Sequence, residues 1–116
     1  MDFQKIFTIA TDVRNEFEHW SIDGEKLNHL YMAYNHISHV DRFLDTARKI
    51  FPRLCCGIAT IYLKEILTEG TVKRGKYERN NHTFLLLNEE VIVDITADQY
   101  GGPSVFMGLI RYPWSF

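Results

Sequence analysis

The apolar residues of this 116-residue chain change period once, at Gly70, and that change limits the folds open to it. Before Gly70 they recur at helical spacing. Phe3, Ile6, Phe7, Ala10, Val13, Phe17 and Trp20 predict an amphipathic helix over about 2–19. Residues 21–38 are less regular, with a turn at Asp23-Gly24 and a short helix at about 25–34. Val40, Phe43, Leu44, Ala47 and Ile50 form one stripe over about 39–50, with Ser38 placed to cap it and Pro52 to stop it. Ala59, Leu63, Ile66 and Leu67 place a further helix over Cys56 to about Thr68, and Gly70 stands where a helix ends. After Gly70 the pattern is that of strands, at 71–79, 83–87, 91–96 and about 104–111. Turn signals fall at Asn80-Asn81, Asn88-Glu89-Glu90 and Gly101-Gly102-Pro103. Helices first (about 1–69) and an antiparallel sheet after (about 70–116) describe an α+β fold in a single domain.

Charge and cysteine content narrow the function. A formal net charge of −2 and a pI near 6.2 argue against nucleic-acid or membrane-surface partners held by bulk electrostatics. Lys73, Arg74 and Lys76 read as a solvated strand. No apolar run approaches the roughly 18–20 residues of a membrane span, and MDFQKIFTIATDVRNEFEHW lacks the basic-then-apolar layout of a signal peptide. The expected setting is cytoplasmic, or delivery into a target cell as part of a larger system. The only two cysteines, Cys55 and Cys56, are adjacent. Vicinal cysteines bridge only under strain, so a disulfide scaffold is excluded, and without a second pair a zinc ribbon is not expected. His29, His36 and His39 include one His-x-x-His spacing, but no carboxylate or cysteine pattern matches it, so neither metal nor cofactor is expected.

Cys56 opens a helix, where unpaired N–H groups favour a thiolate and can bind an oxyanion; the plain alternative is a small buried hydrophobe. His82 begins a strand and Asp94 ends the next, twelve residues on. Strand side chains alternate faces, so a three-residue loop at about Asn88–Glu90 puts both on one face and a two-residue loop puts them on opposite faces. Asp94 lies within Val91-Ile92-Val93-Asp94-Ile95, where a carboxylate needs a partner to be buried, and an imidazole is a natural one. The alternative for Asp94 is a turn cap at the end of its strand.

With these residues in place, FPRLCCGIATIYL followed by NHTFLLLNEEVIVDITADQYG resembles the core of papain-like and transglutaminase-like cysteine enzymes. In that core a cysteine opens a helix, a histidine starts one strand and an acid lies on the next. The chain is especially similar to small bacterial members with a Cys-Gly opening and an Asp-Ile-Thr-Ala-Asp-Gln-Phe-like tail, here Asp94 to Tyr100. The resemblance spans about 51–101. It implies Cys56 as nucleophile, His82 as general base and then acid, and Asp94 as the group that orients His82. Cys55 and Gln99 are supporting candidates, Gln99 being near enough in sequence to bond Asp94. Three departures stand out. Cys55 occupies a position where the pattern often has Ser, Thr83-Phe84 stands where a small residue and Trp are usual, and no oxyanion glutamine precedes Cys56. That leaves the Cys56 N–H as one oxyanion donor, with Asn35 or His36 as loop candidates to reach the site.

The resemblance implies attack on an amide of a protein or peptide substrate through an acyl-cysteine, giving a peptidase, a glutamine deamidase or a transglutaminase. By analogy, small members act as bacterial effectors or toxins, with a cognate inhibitor or immunity protein as a further partner. The alternative is a non-catalytic binding module that keeps the fold and uses its aromatic tail, Phe106 to Phe116. The other expectation for that tail is packing against the helices. A thioester-dependent acyltransferase is a third reading, although arylamine acetyltransferases are much longer chains.

Overall fold

A computed structural model describes residues 2–35 and 41–116, without the side chains of 41 and 42. Among the described residues four helices come first: α1 (Phe3–His19), α2 (Gly24–Asn35), α3 (Asp41–Ile50) and α4 (Cys56–Leu67). The Asp2 carboxylate accepts from the Lys5 N–H at 3.0 Å and starts α1. Asp23 does the same for α2, accepting from the Glu25 N–H at 3.0 Å. The proposed Ser38 cap and the His36/His39 pair lie outside the described residues. No helix among the described residues is long and apolar enough to cross a membrane.

Five antiparallel strands follow, β1 (Thr71–Tyr77), β2 (Asn80–Leu86), β3 (Val91–Asp94), β4 (Phe106–Leu109) and β5 (Trp114–Ser115), in the order β4-β3-β2-β1-β5. The fold is α+β, as the change of period requires. A 3₁₀ turn, η1 (Ala97–Tyr100), joins β3 to the last two strands.

The strand order forces the sheet to curl. β4 and β5 are its two edges, and a flat five-stranded sheet would hold them roughly 19 Å apart, four steps of about 4.8 Å. The chain from Leu109 to Trp114 reaches at most about 17 Å when extended, and a turn closed by the Trp114 N–H on Arg111 O at 2.8 Å shortens it. The edges therefore approach one another, and the Phe106 and Trp114 rings stack with centroids 4.1 Å apart.

Alternation along the strands divides the apolar residues into two cores. Leu85, Val93 and Ile95 face Ile6, Ala10, Val13 and Phe17 of α1 and Ile58, Ala59 and Leu63 of α4. Phe84 and Ile92 point the other way, into a smaller cluster with Tyr77, Ala97 and Trp114. The tail divides between the two: Phe106, Ile110 and Trp114 pack within the curl of the sheet, Met107 packs against the helical core, and Tyr112 and Phe116 are exposed. One other expectation shifts. Asn80 and Asn81 are strand residues paired with Tyr77 and Lys76, and the turn falls on Glu78-Arg79, with Glu78 left-handed at φ 55°. That register sets Gly75 opposite His82. A side chain at 75 would put its Cβ 2.5 Å from the Ser115 carbonyl and 2.8 Å from the Phe84 ring, so glycine is what lets β5 close on β1.

Candidate active site

The β2–β3 connection positions the central pair. Leu85 pairs with Val93, Leu86 with Ile92, and the Leu87 N–H reaches Val91 O at 2.8 Å. The loop is therefore the three residues Asn88–Glu90, held by the Asn88 side chain, which accepts from the Glu90 and Val91 N–H groups at 2.9 Å each. With that loop length His82 and Asp94 share a face, and His82 Nε2 meets Asp94 Oδ2 at 2.6 Å. Both side chains are shut off from solvent, at 0% and 1% exposure.

Every acceptor position of the carboxylate is used. Oδ2 also accepts from the Trp114 indole N–H at 2.8 Å. Oδ1 accepts from the Thr96 N–H at 2.9 Å and the Thr96 hydroxyl at 3.4 Å. Burying a carboxylate this completely is costly unless its oxygens are hydrogen-bonded, as both of these are.

Cys56 is the first residue of α4 and is half-buried, and no side chain caps that helix. Burial alone would push its thiol up. The neighbouring His82 ring and its charge, with the Thr83 backbone, outweigh burial and hold it below its usual value. The ring responds in the opposite sense. Burial would lower the His82 pKa, but its hydrogen bonds to Asp94 and then Cys56 raise it to about 9. Both shifts favour moving the thiol proton to the ring. Since Nε2 is taken by Asp94, Nδ1 is the nitrogen left for other partners, and Gln99 Nε2 lies 3.4 Å from it. Gln99 therefore reaches His82 and not Asp94. A neutral ring accepts there from the amide N–H; a charged ring needs the amide turned to present its oxygen.

Cys55 goes elsewhere. It is fully buried in the helical core, its Sγ 3.6 Å from Ala47 O, and burial with the adjacent Cys56 pushes its thiol up to about 12. The residue before it, Leu54, is left-handed at φ 65° and exposed. A branched side chain in that region costs on the order of 1 kcal/mol, a strain held directly before the two cysteines.

A groove of about 330 Å³ opens beside Cys56, lined by Tyr31, Tyr34, Asn35, Leu54 and Arg74 among others. Asn35 thus stands in the same groove as Cys56, while His36 lies outside the described residues. His29 is exposed on α2. Among the described residues no group of three or more His, Cys, Asp or Glu side chains is arranged to hold a metal ion.

Three residues to which sequence reasoning gave no part in the site support it. Arg14 of α1 is buried, and its guanidinium donates to Ile95 O at 2.8 Å and to both Asp98 oxygens at 2.7 Å. It fastens the segment that follows Asp94, and so fixes Thr96 and Gln99. A signal was present, since Arg14 falls on the apolar stripe of α1 between Ala10 and Phe17. Trp114 carried no such signal, because its approach to Asp94 depends on the curl of the sheet. Tyr100, whose hydroxyl donates to Asn81 O at 3.1 Å, adds a ring edge-on to His82 at 5.3 Å. No protein-family model, curated protein or solved structure matches this chain.

Proposed function

We propose that this chain is a thiol-dependent amide hydrolase or acyltransferase acting on a protein or peptide through an acyl–Cys56 intermediate, on a papain-like or transglutaminase-like core. The observation that supports the reading is a thiol at a helix N-terminus, held below its usual value by the His82 ring that a buried carboxylate orients. Cys56 gives its proton to His82 and attacks the amide carbon. The N–H groups at the start of α4 stabilise the oxyanion. His82 then protonates the departing amine, leaving the thioester. Water or an amine, deprotonated by His82, attacks the thioester and restores the thiol. Asp94 accepts from Nε2 throughout, so Nδ1 is the nitrogen that carries the moving proton.

A second reading, a non-catalytic binding module, draws on the complete burial of the His82 ring. In that reading the imidazole–carboxylate pair is a polar staple for the curled sheet.

The rate of iodoacetamide modification from pH 5 to 9, assigned by mass spectrometry in wild type and His82→Ala, separates the two. The enzyme reading expects labelling confined to Cys56, with an apparent pKa under about 8.5 that rises when His82 is lost. Slow labelling indifferent to His82, or labelling mainly at Cys55, would sink it.

A further inference from the structure

The groove beside Cys56 has an unbalanced charge. Among its lining residues Arg74 is cationic and no carboxylate is present, although the chain as a whole is acidic. We infer that Arg74 receives a carboxylate of the substrate, so that the acyl donor is an acidic peptide with its carboxylate beside the bond under attack. This rests on Cys56 being the nucleophile.

Register puts the cation in place. Arg74 pairs across β1–β2 with Thr83, which lines the groove together with Cys56. Cross-strand partners hold their Cβ atoms about 5 Å apart, so the guanidinium stem starts one strand from the thiol. The head is then directed by α2. Arg74 Nη2 donates to Asn35 Oδ1 at 3.3 Å, and the Asn35 amide is itself tied back to Tyr31 O at 3.0 Å. A single neutral oxygen occupies one edge of the guanidinium, and among the described residues no carboxylate forms an ion pair with it. Arg74 is exposed and lines a groove that also presents Tyr31 and Tyr34.

The lining suits a monoanion on a peptide. One guanidinium flanked by Leu54, Ile61 and Val72 matches a carboxylate on an aliphatic stem, whereas a phosphate calls for several cations or a nest of N–H groups. Tyr34, Ile61 and Val72 also line a second depression, with Leu30, Lys64 and Glu65, so the groove continues past Arg74 along α4. An extended chain has room there on one side of the thiol.

The test uses three alkylating probes on the full chain: N-iodoacetyl-glutamic acid α-amide, N-iodoacetyl-glutamine with a free α-carboxylate, and N-iodoacetyl-glutamine α-amide, which has no carboxylate. The readout is the rate at Cys56 relative to the neutral probe, which cancels the intrinsic reactivity of the thiol. We expect an acidic probe to react about three- to five-fold faster in wild type, and the advantage to fall to near unity in Arg74→Gln and with salt near 0.5 M. Arg74→Lys should keep part of it. Preference for the first probe identifies an acidic side chain as the source, and preference for the second a chain terminus. Equal rates for all three probes in wild type, or a preference unchanged in Arg74→Gln, would overturn the assignment. If Cys56 is not activated, the neutral probe is slow and indifferent to His82→Ala while the ratio remains measurable, so the two failures are distinguishable.

Discussion

Replacing Asp94 with asparagine keeps the shape of the side chain and exchanges one acceptor oxygen for a donor, and the surroundings leave that donor no good orientation. If the new NH₂ takes the Oδ2 position it faces the Trp114 indole N–H, which cannot accept. If it takes the Oδ1 position it faces the Thr96 backbone N–H, which cannot accept either. One buried donor is left opposed whichever way the amide turns, at about 1–3 kcal/mol. The charge on His82 adds a second cost. Raising a buried imidazole from its ordinary 6.5 to about 9 corresponds to roughly 3 kcal/mol of stability. His82 gains proton affinity on folding, so this contribution is complete below pH 6.5 and is lost as pH rises through about 9.

Asp94→Asn should therefore cost about 4–6 kcal/mol at pH 6 and about 1–3 kcal/mol at pH 10, where only the opposed donor remains. Urea unfolding at the two pH values, followed by tryptophan fluorescence, measures the difference. The depressed Cys56 thiol has the opposite dependence, its contribution being present above its unfolded value and lost as pH falls. The series is for that reason repeated in a Cys56→Ala background. A penalty that is equal at pH 6 and pH 10 in that background would refute the charged imidazole. A penalty below about 1 kcal/mol at both would refute the hydrogen-bond assignment.

Arg14→Met replaces a buried guanidinium with a side chain of similar length, leaving Ile95 O without a donor and Asp98 without its cation. We expect a loss of about 2–4 kcal/mol in thermal or urea unfolding, and slower Cys56 alkylation in the fraction that stays folded. Trp114→Phe keeps an aromatic ring against Phe106 and removes only the indole N–H from Asp94. Its cost should be about 1–2 kcal/mol, with the pH midpoint of Cys56 alkylation moving by less than it does in His82→Ala.

Where one local rule decided the outcome, the sequence was legible. The change of period at Gly70 separated helices from sheet because spacings of 3.6 and 2 cannot be satisfied by one element. The meeting of His82 with Asp94 followed from a three-residue loop, a matter of parity alone. The reading failed where a contact depends on distant segments. β5 is two residues long and pairs only because the sheet curls and Gly75 leaves room. Asn80-Asn81 has good turn chemistry, yet tertiary pairing moved the turn to Glu78-Arg79, where the Asn80 amide donates to Tyr77 O and Asn81 accepts from Lys76. Asp94 was legible as a carboxylate in want of a partner, but two of its donors were not. Thr96 depends on the chain turning back after β3, and Trp114 on the closure of the sheet.

Those two donors tie the chemistry to the fold. Asp94 binds β2 through His82, the turn after β3 through Thr96, and the closing edge of the sheet through Trp114. Each is a different stretch of chain, so the group that orients the imidazole is also the point where the curl is fastened. A purely structural staple would need no charge on the ring and no thiol beside it; an apolar residue of similar volume would hold the sheet at least as well. In the reaction proposed above, the charge that the pair stabilises on His82 is the charge a Cys56 thiolate requires, and the two groups shift each other's proton affinity in that sense. Under that proposal, closure of β5 on β1 is a condition for thiol reactivity. That is why a substitution as remote as Trp114→Phe, at a residue with no hydrogen bond to His82, is expected to move the pH profile of Cys56.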